Sequence, residues 1–327
     1  MKILFLDSAP NSHHERFKKL ISSLGEVHSA YSNSSLEDFN PSTFGLVVFA
    51  DLDLTVNDAL KFDAPRVGIS WAWDLQMSKR QGADVKKKLQ KALTSSELVL
   101  VDNPSLLKEF DVLGEHPKET LCLPYGIELV QYPFREQVYE TSNTPLLYSN
   151  RQWEDLYRVD LLLEAAEELD KRGYDFNLVL ANDGSLRQSL MEKFRKLFDS
   201  GVCEWIGRVS SDENAKRLEK SDLYISVAKS DGSSLSLLES MAIGIPVLVT
   251  DNSSNREWIT DGESGYLFAG DSIFSLADKV TQVSSLGSKE IITKARKIVD
   301  TKANWDINSS VIIRFIEEAL KQHRFQK

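Results

Sequence analysis

The chain alternates short apolar runs with longer segments whose apolar residues recur at helical spacing. Ile3 to Leu6, within KILFLD, is the first run, and Val27, Phe44 to Phe49, Arg66 to Ser70, Leu98 to Val101 and Leu121 to Pro124 mark further strands. Between them the spacing predicts helices over Glu15 to Leu24, over 84 to 93 and, after Pro104, over Ser105 to Phe110. Continuous apolar runs suit strands buried on both faces of a parallel sheet, and their alternation with helices predicts a doubly wound α/β layer. The periodicity lapses over REQVYETSNTP, 135 to 145, which reads as a linker. A second alternating series starts at Leu146 to Tyr148, and a last helix is expected over Ser309 to Gln322. The expected division is a Rossmann-like domain over 1–140 and a second over 141–304.

The densest signal lies in SDGSSLSLLESMAIGIPVLVT, Ser230 to Thr250. Asp231 and Gly232 favour a loop, Ser233 and Ser234 are natural N-caps, and Leu235, Leu238, Met241 and Ala242 fall on one helical face. Gly244 and Pro246 end that helix, and Val247 to Val249 is a buried strand. A loop of small residues feeding a helix N-terminus offers backbone N–H groups and a positive dipole end to an anion such as phosphate.

Composition narrows the classes. With 327 residues, 42% hydrophobic and 27% charged, there is enough chain for two cores. A net charge of −10 argues against nucleic acid as a partner. No apolar run is long enough to span a bilayer or to serve as a signal peptide, so a cytoplasmic protein is expected. Cys122 and Cys203 sit in apolar runs without metal-ligand spacing. Lys86, Lys87, Lys88 and Lys91 cluster on one predicted helix, a solvated face or a transient contact with an anionic membrane surface.

Asp231 and Glu239, with seven residues between them and LLES-MA-x-G-x-P-V around the second, resemble the signature of retaining, GT-B-fold glycosyltransferases of the family-four type, among the glycosyl transferases of group 1. PYGIELVQYPF, SNRQWEDLYRVDLLLEAAEEL, FNLVLANDGSLRQSL and CEWIGRVS resemble further family segments in the same order. The resemblance covers most of the chain and is strong from Leu121 onward. It implies two Rossmann-like domains facing across a cleft, the C-terminal one holding a nucleoside diphosphate sugar, with a terminal helix, 305–327, packed back on the first.

Site roles follow by position. Arg151, after a strand at the carboxyl edge where such sheets bind ligands, is expected to clamp the diphosphate; the alternative is an ion pair with Glu154 or Asp155. Glu239 is expected to accept two hydrogen bonds from the ribose, or to be a solvated helix carboxylate. Asp231 stands where the family usually has glutamate and holds the donor sugar; it is shorter by about 1.5 Å, and turn chemistry is its alternative. The backbone of Gly232, Ser233, Ser234 and Leu235 is the phosphate or sugar cradle. The usual lysine is replaced by Tyr157, with Arg158 beside it. Asp183 and Gly184 match the turn after the second strand, and Gly207 and Arg208 the place where backbone meets the base, with glycine expected either so that no side chain blocks the base or for a plain strand-end turn.

On the acceptor side the family's paired glycines are absent. His13 and His14, in a loop before the first helix, are candidates for acceptor or phosphate contacts, or plain polar surface. Trp71 and Trp73 are candidates to stack on sugar and Asp74 to accept a hydroxyl proton; the alternative is core tryptophans and a helix cap. The implied reaction moves a sugar to a hydroxyl of a glycan or lipid-linked acceptor with retention of configuration and without a metal or other cofactor. The departures, Tyr157 and Asp231 foremost, leave open a catalytically degenerate GT-B protein that binds a partner. A sugar-nucleotide epimerase on the same fold ranks third.

Overall fold

The computed structural model describes residues 1–9, 12–32, 36–76, 82–135, 143–284 and 289–325. Among them the strands form two six-stranded sheets, parallel throughout. The first is built from β1 (Lys2–Asp7), β2 (Glu26–Tyr31), β3 (Leu46–Ala50), β4 (Arg66–Ile69), β5 (Leu98–Val101) and β6 (Glu119–Cys122), in the order β2-β1-β3-β4-β5-β6. The second comprises β7 (Leu146–Ser149), β8 (Asn177–Ala181), β9 (Cys203–Gly207), β10 (Leu223–Ser226), β11 (Val247–Thr250) and β12 (Tyr266–Phe268), in the order β12-β11-β10-β7-β8-β9. In each sheet the strand order reverses beside the first strand of the series, the place where open α/β sheets leave a crevice at their carboxyl ends.

Burial explains why these runs became strands. Every residue of β3, β5, β10 and β11 is buried, as continuous apolar runs covered on both faces must be. The helix Leu52–Ala59, which follows β3, was not anticipated from the spacing; it buries Leu52, Thr55, Val56 and Ala59 on its inner side. The first helix starts at Ser12, so His13 and His14 lie in its first turn and not in a loop.

The chain divides into two compact units, Met1–Tyr125 with Asp306–Lys327, and Gly126–Trp305. Most of the stretch read as a linker, 136–142, lies outside the described residues. Within the second unit the two places where the chain enters and leaves are stitched together. Ile127 N–H donates to Ala303 O at 2.9 Å and Trp305 N–H to Ile127 O at 3.0 Å. In the first unit the helix Trp305–Phe325, from Asp306 on, buries Ile312, Ile316 and Ala319 at helical spacing. Asn308 Nδ2 donates to Pro124 O at 2.7 Å, and His323 Nδ1 lies 3.1 Å from Glu97.

Gly126 makes the stitch possible. Its φ is +75°, and a Cβ there would lie 2.3 Å from Ala303 O. Gly126→Ala is therefore expected to destabilise the chain by at least about 2 kcal/mol, the sum of left-handed strain and a backbone clash. The denaturant midpoint measures it, and an unchanged midpoint would show that the crossing is not constrained as described.

Candidate functional site

At the carboxyl ends of β7 to β10 the loops enclose a cavity of about 280 Å³, whose lining includes Asn150, Asn182, Arg208, Asn214, Ser236 and Glu239. Arg151 stands beside it, two residues beyond β7 and only 9% exposed. Its Nη1 donates to Ser234 Oγ at 2.7 Å and its Nη2 to Asp231 Oδ2 at 2.6 Å. The ring of Tyr157 lies 4.3 Å from the guanidinium carbon, a cation–π contact. The ion-pair partner is thus Asp231, and neither Glu154 nor Asp155. Glu154 binds the Ser185 amide at 2.7 Å, and Asp155 pairs with Lys229.

Ser234 is the N-cap residue of the helix Leu235–Ile243, yet its side chain makes no capping hydrogen bond. The hydroxyl is engaged by Arg151 instead. Asp231 closes a turn of its own by accepting from Gly232 N–H at 3.1 Å, and its carbonyl accepts from Ser254 Oγ at 2.5 Å. Ser233 is buried and Leu235 half-buried at the cavity wall. Arg158 turns its guanidinium to Asp271, 2.6 Å away, so the place of the family lysine beside Arg151 is filled by Tyr157.

Asp183 and Gly184 brace the Arg151 loop. Asp183 O accepts from Trp153 N–H at 3.1 Å, and a Cβ on Gly184 would lie 2.5 Å from Trp153 O. Gly207 has a φ of +74°, and the nearest protein atom to a Cβ there would be 3.8 Å away. Backbone conformation demands the glycine. Arg208 is exposed on the cavity wall.

Glu239, in the second turn of its helix, is half-buried. Its Oε1 accepts from the Tyr132 hydroxyl and its Oε2 from Asn214 Nδ2, each at 2.8 Å. Neither partner was singled out from the sequence. Asn214 carried a signal, being a polar residue four before the buried Leu218 on the inner face of the helix Ser211–Lys220. Tyr132 carried none, because its partner is 107 positions away.

The other expected residues gather at the carboxyl edge of the first sheet. His14 is fully buried, not surface, because His14, Phe17 and Ile21 share the inner face of their helix. Its Nδ1 lies 3.1 Å from Asp7 Oδ2. His13 stacks on Trp71 with centroids 4.9 Å apart, and burial, helped by Arg16, lowers its pKa to about 4, so it is neutral at pH 7. Trp71 also meets Phe17 and Tyr125 edge-on, while Trp73 is 46% exposed. Asp74 is only 1% exposed. It accepts from Leu52 N–H at 2.9 Å, Ser70 Oγ at 2.5 Å and Leu75 N–H at 2.8 Å. Those are the bonds of a cap, the second of the two roles open to Asp74 from the sequence. Asp51, the N-cap residue of Leu52–Ala59, makes no side-chain cap, so Asp74 supplies it from outside.

The family model described as Glycosyl transferases group 1 matches residues 132–305, just over half of the chain. The putative colanic acid biosynthesis glycosyltransferase WcaL of Salmonella typhimurium is 24% identical over 219 residues, covering 64% of this chain and 52% of WcaL. The chain thus spans about half the length of the curated relatives it matches most extensively. Among solved structures, HepE of Anabaena in complex with UDP and glucose superposes with a TM-score of 0.77 at 14% identity, covering 97% of this chain and all of that one. Sucrose-phosphate synthase of Thermosynechococcus elongatus gives a TM-score of 0.80 at 11% identity, covering 98% and 99%. The two parallel sheets and their helices are those of the GT-B fold.

The first sheet's carboxylates impose a pH dependence. Burial, reinforced by the charge of Asp74, raises the Asp51 pKa from an ordinary 3.8 to about 7. Burial likewise raises Asp74 to about 6, against the pull of its hydrogen bonds. Both groups hold protons more tightly folded than unfolded, so their contribution to stability is fully present below pH 3.8 and is lost as pH rises through 6 to 7. Asp51→Asn, tolerated at its φ of 52°, is expected to raise the melting temperature at pH 8 and to flatten its fall between pH 5 and 8. Thermal melts across that range test it, and an unaltered slope would refute it.

Proposed function

The chain belongs to the family of glycosyl transferases group 1, and we propose that it moves a sugar from a uridine diphosphate sugar to a hydroxyl of a glycan or lipid-linked acceptor, with retention of configuration. One observation carries the reading: a carboxylate suited to a ribose and a buried guanidinium suited to a diphosphate flank one helix, Leu235–Ile243, at the carboxyl edge of the second sheet. Ser234 to Glu239 is a rise of about 7.5 Å along a helix, so the two groups address different parts of one ligand. Uridine is taken from the Anabaena structure, which holds UDP.

In the proposed reaction the bond from the anomeric carbon to the β-phosphate oxygen breaks, and a bond to the acceptor oxygen forms on the same face. The acceptor's proton passes to the departing diphosphate. Arg151 and the N–H groups of Gly232 to Leu235 stabilise the charge on the leaving group, so the chemistry needs no divalent metal. Asp231 has two tasks, as the resting partner of Arg151 and, when the diphosphate takes over that guanidinium, as a contact for the sugar. Gly207 and Arg208 face the base. His13, Trp71 and the exposed Trp73 are the acceptor-side candidates that remain once Asp74 is a cap. Lys86, Lys87 and Lys91, exposed on the helix Ala83–Ser95, fit contact with an anionic membrane surface, while Lys88 pairs with Asp84.

A second reading has its own support. Tyr157 in the lysine's place and the Arg151–Asp231 pair neutralise the phosphate site, as a non-catalytic binding protein would tolerate. Turnover decides. With UDP-glucose or UDP-N-acetylglucosamine as donor, Arg151→Ala is expected to lower kcat by roughly 10²- to 10³-fold, and Glu239→Ala to weaken donor binding. Release of UDP followed chromatographically measures both. Unchanged turnover in both variants would sink the assignment of Arg151 and Glu239 to the donor site, and no turnover by the unaltered chain would favour the binding protein.

A further inference from the structure

Glu239 is held by more than its helix. The amide of Asn214 is fixed end for end, because its Oδ1 accepts from the Tyr148 hydroxyl and from Asn150 Nδ2, both at 2.9 Å, which leaves Nδ2 as the atom directed at Glu239. Asn150 is itself tied down, its Oδ1 accepting from the Tyr224 hydroxyl at 3.1 Å and its carbonyl from Asn182 Nδ2 at 3.3 Å. Tyr132 is anchored through its backbone. Arg296 Nη1 donates to Tyr132 O at 2.8 Å and to Ala242 O at 2.7 Å, and Arg135 N–H donates to Ile243 O at 2.8 Å. Asn214, Tyr132, Tyr148 and Tyr224 are all buried, while Glu239 is half-buried at the cavity.

The terminal torsion of a glutamate is broad and roughly two-fold, so an unsupported carboxylate presents its lone pairs over a wide range of directions. Two fixed donors, one on each oxygen, select a single plane. We infer that Tyr132 and Asn214 are positioning residues that set the Glu239 carboxylate for a vicinal diol, and so make the chain distinguish a ribonucleotide from its 2′-deoxy counterpart. The inference rests on the reading of Glu239 as the ribose acceptor. A carboxylate has about four acceptor positions, enough in number for two protein donors and the two hydroxyls of a diol. Both of these donors are neutral. Asn214 and Glu239 line the same cavity.

The test is calorimetric titration of uridine diphosphate and 2′-deoxyuridine diphosphate into the unaltered chain and the variants Tyr132→Phe, Asn214→Leu and Glu239→Ala. The unaltered chain is expected to prefer the ribonucleotide by roughly tenfold, the worth of a hydrogen bond to a charged group, and Tyr132→Phe and Asn214→Leu to lose most of that preference while affinity for the deoxy form stays within ~twofold. Tyr132→Phe removes one oxygen from a packed ring, so it stays informative if Asn214→Leu fails to fold. Preference kept in Tyr132→Phe, or in a folded Asn214→Leu, while Glu239→Ala loses it, overturns the positioning role alone. An unaltered chain that does not bind uridine diphosphate, or a Glu239→Ala variant that binds it undiminished, overturns the ribose reading and the inference with it.

Discussion

A guanidinium at 9% exposure has to be paired, and in the second unit Ser234 and Asp231 pair Arg151 through its Nη1 and Nη2. Its partners come from the loop after β10 and from the N-cap of the next helix, so one side chain ties the end of β7 to the cradle. Removing a partner from a buried ion pair typically costs about 3–5 kcal/mol, because the remaining charge stays in a poorly solvating site. A diphosphate is the kind of ligand that can replace Asp231 without leaving that charge unmet.

Charge and neutrality are separated across this sheet edge. Beneath the cavity lies a chain of amides and phenols, Asn182, Asn150, Tyr224, Asn214 and Tyr148, which ends on the carboxylate of Glu239. Neutral donors can be desolvated at lower cost than ions, so the network orients a charged group without adding another. Asp183, Gly184 and Gly207 serve the same end from the backbone. Close packing on Trp153 and a left-handed turn set the loops from which Arg151 and Arg208 project.

The first unit uses its carboxyl edge differently. Asp7, Asp51 and Asp74 follow adjacent strands and are occupied by Ser8, His14, Ser70 and the amide of Leu52. These acids cap and brace the loops, and their raised pKa values at Asp51 and Asp74 reflect the burial that bracing requires. Among the described residues no helix is long and apolar enough to cross a membrane.

By itself the sequence determined the alternation of strands and helices, the two parallel sheets and the segment that carries Asp231 and Glu239, because apolar period and turn chemistry are local properties. It also placed Arg151 at the carboxyl end of its strand. What only the tertiary structure decided was which atoms meet. Local pattern could not choose between cap and base for Asp74, between sequence neighbours and Asp231 as the partner of Arg151, or between steric and conformational need at Gly207. His14 looked like surface until its helix began at Ser12 and turned it inward. Tyr132 and Asn214 were invisible as partners of Glu239 because hydrogen-bond pairing depends on where folded elements converge, and they converge from 107 and 25 positions away.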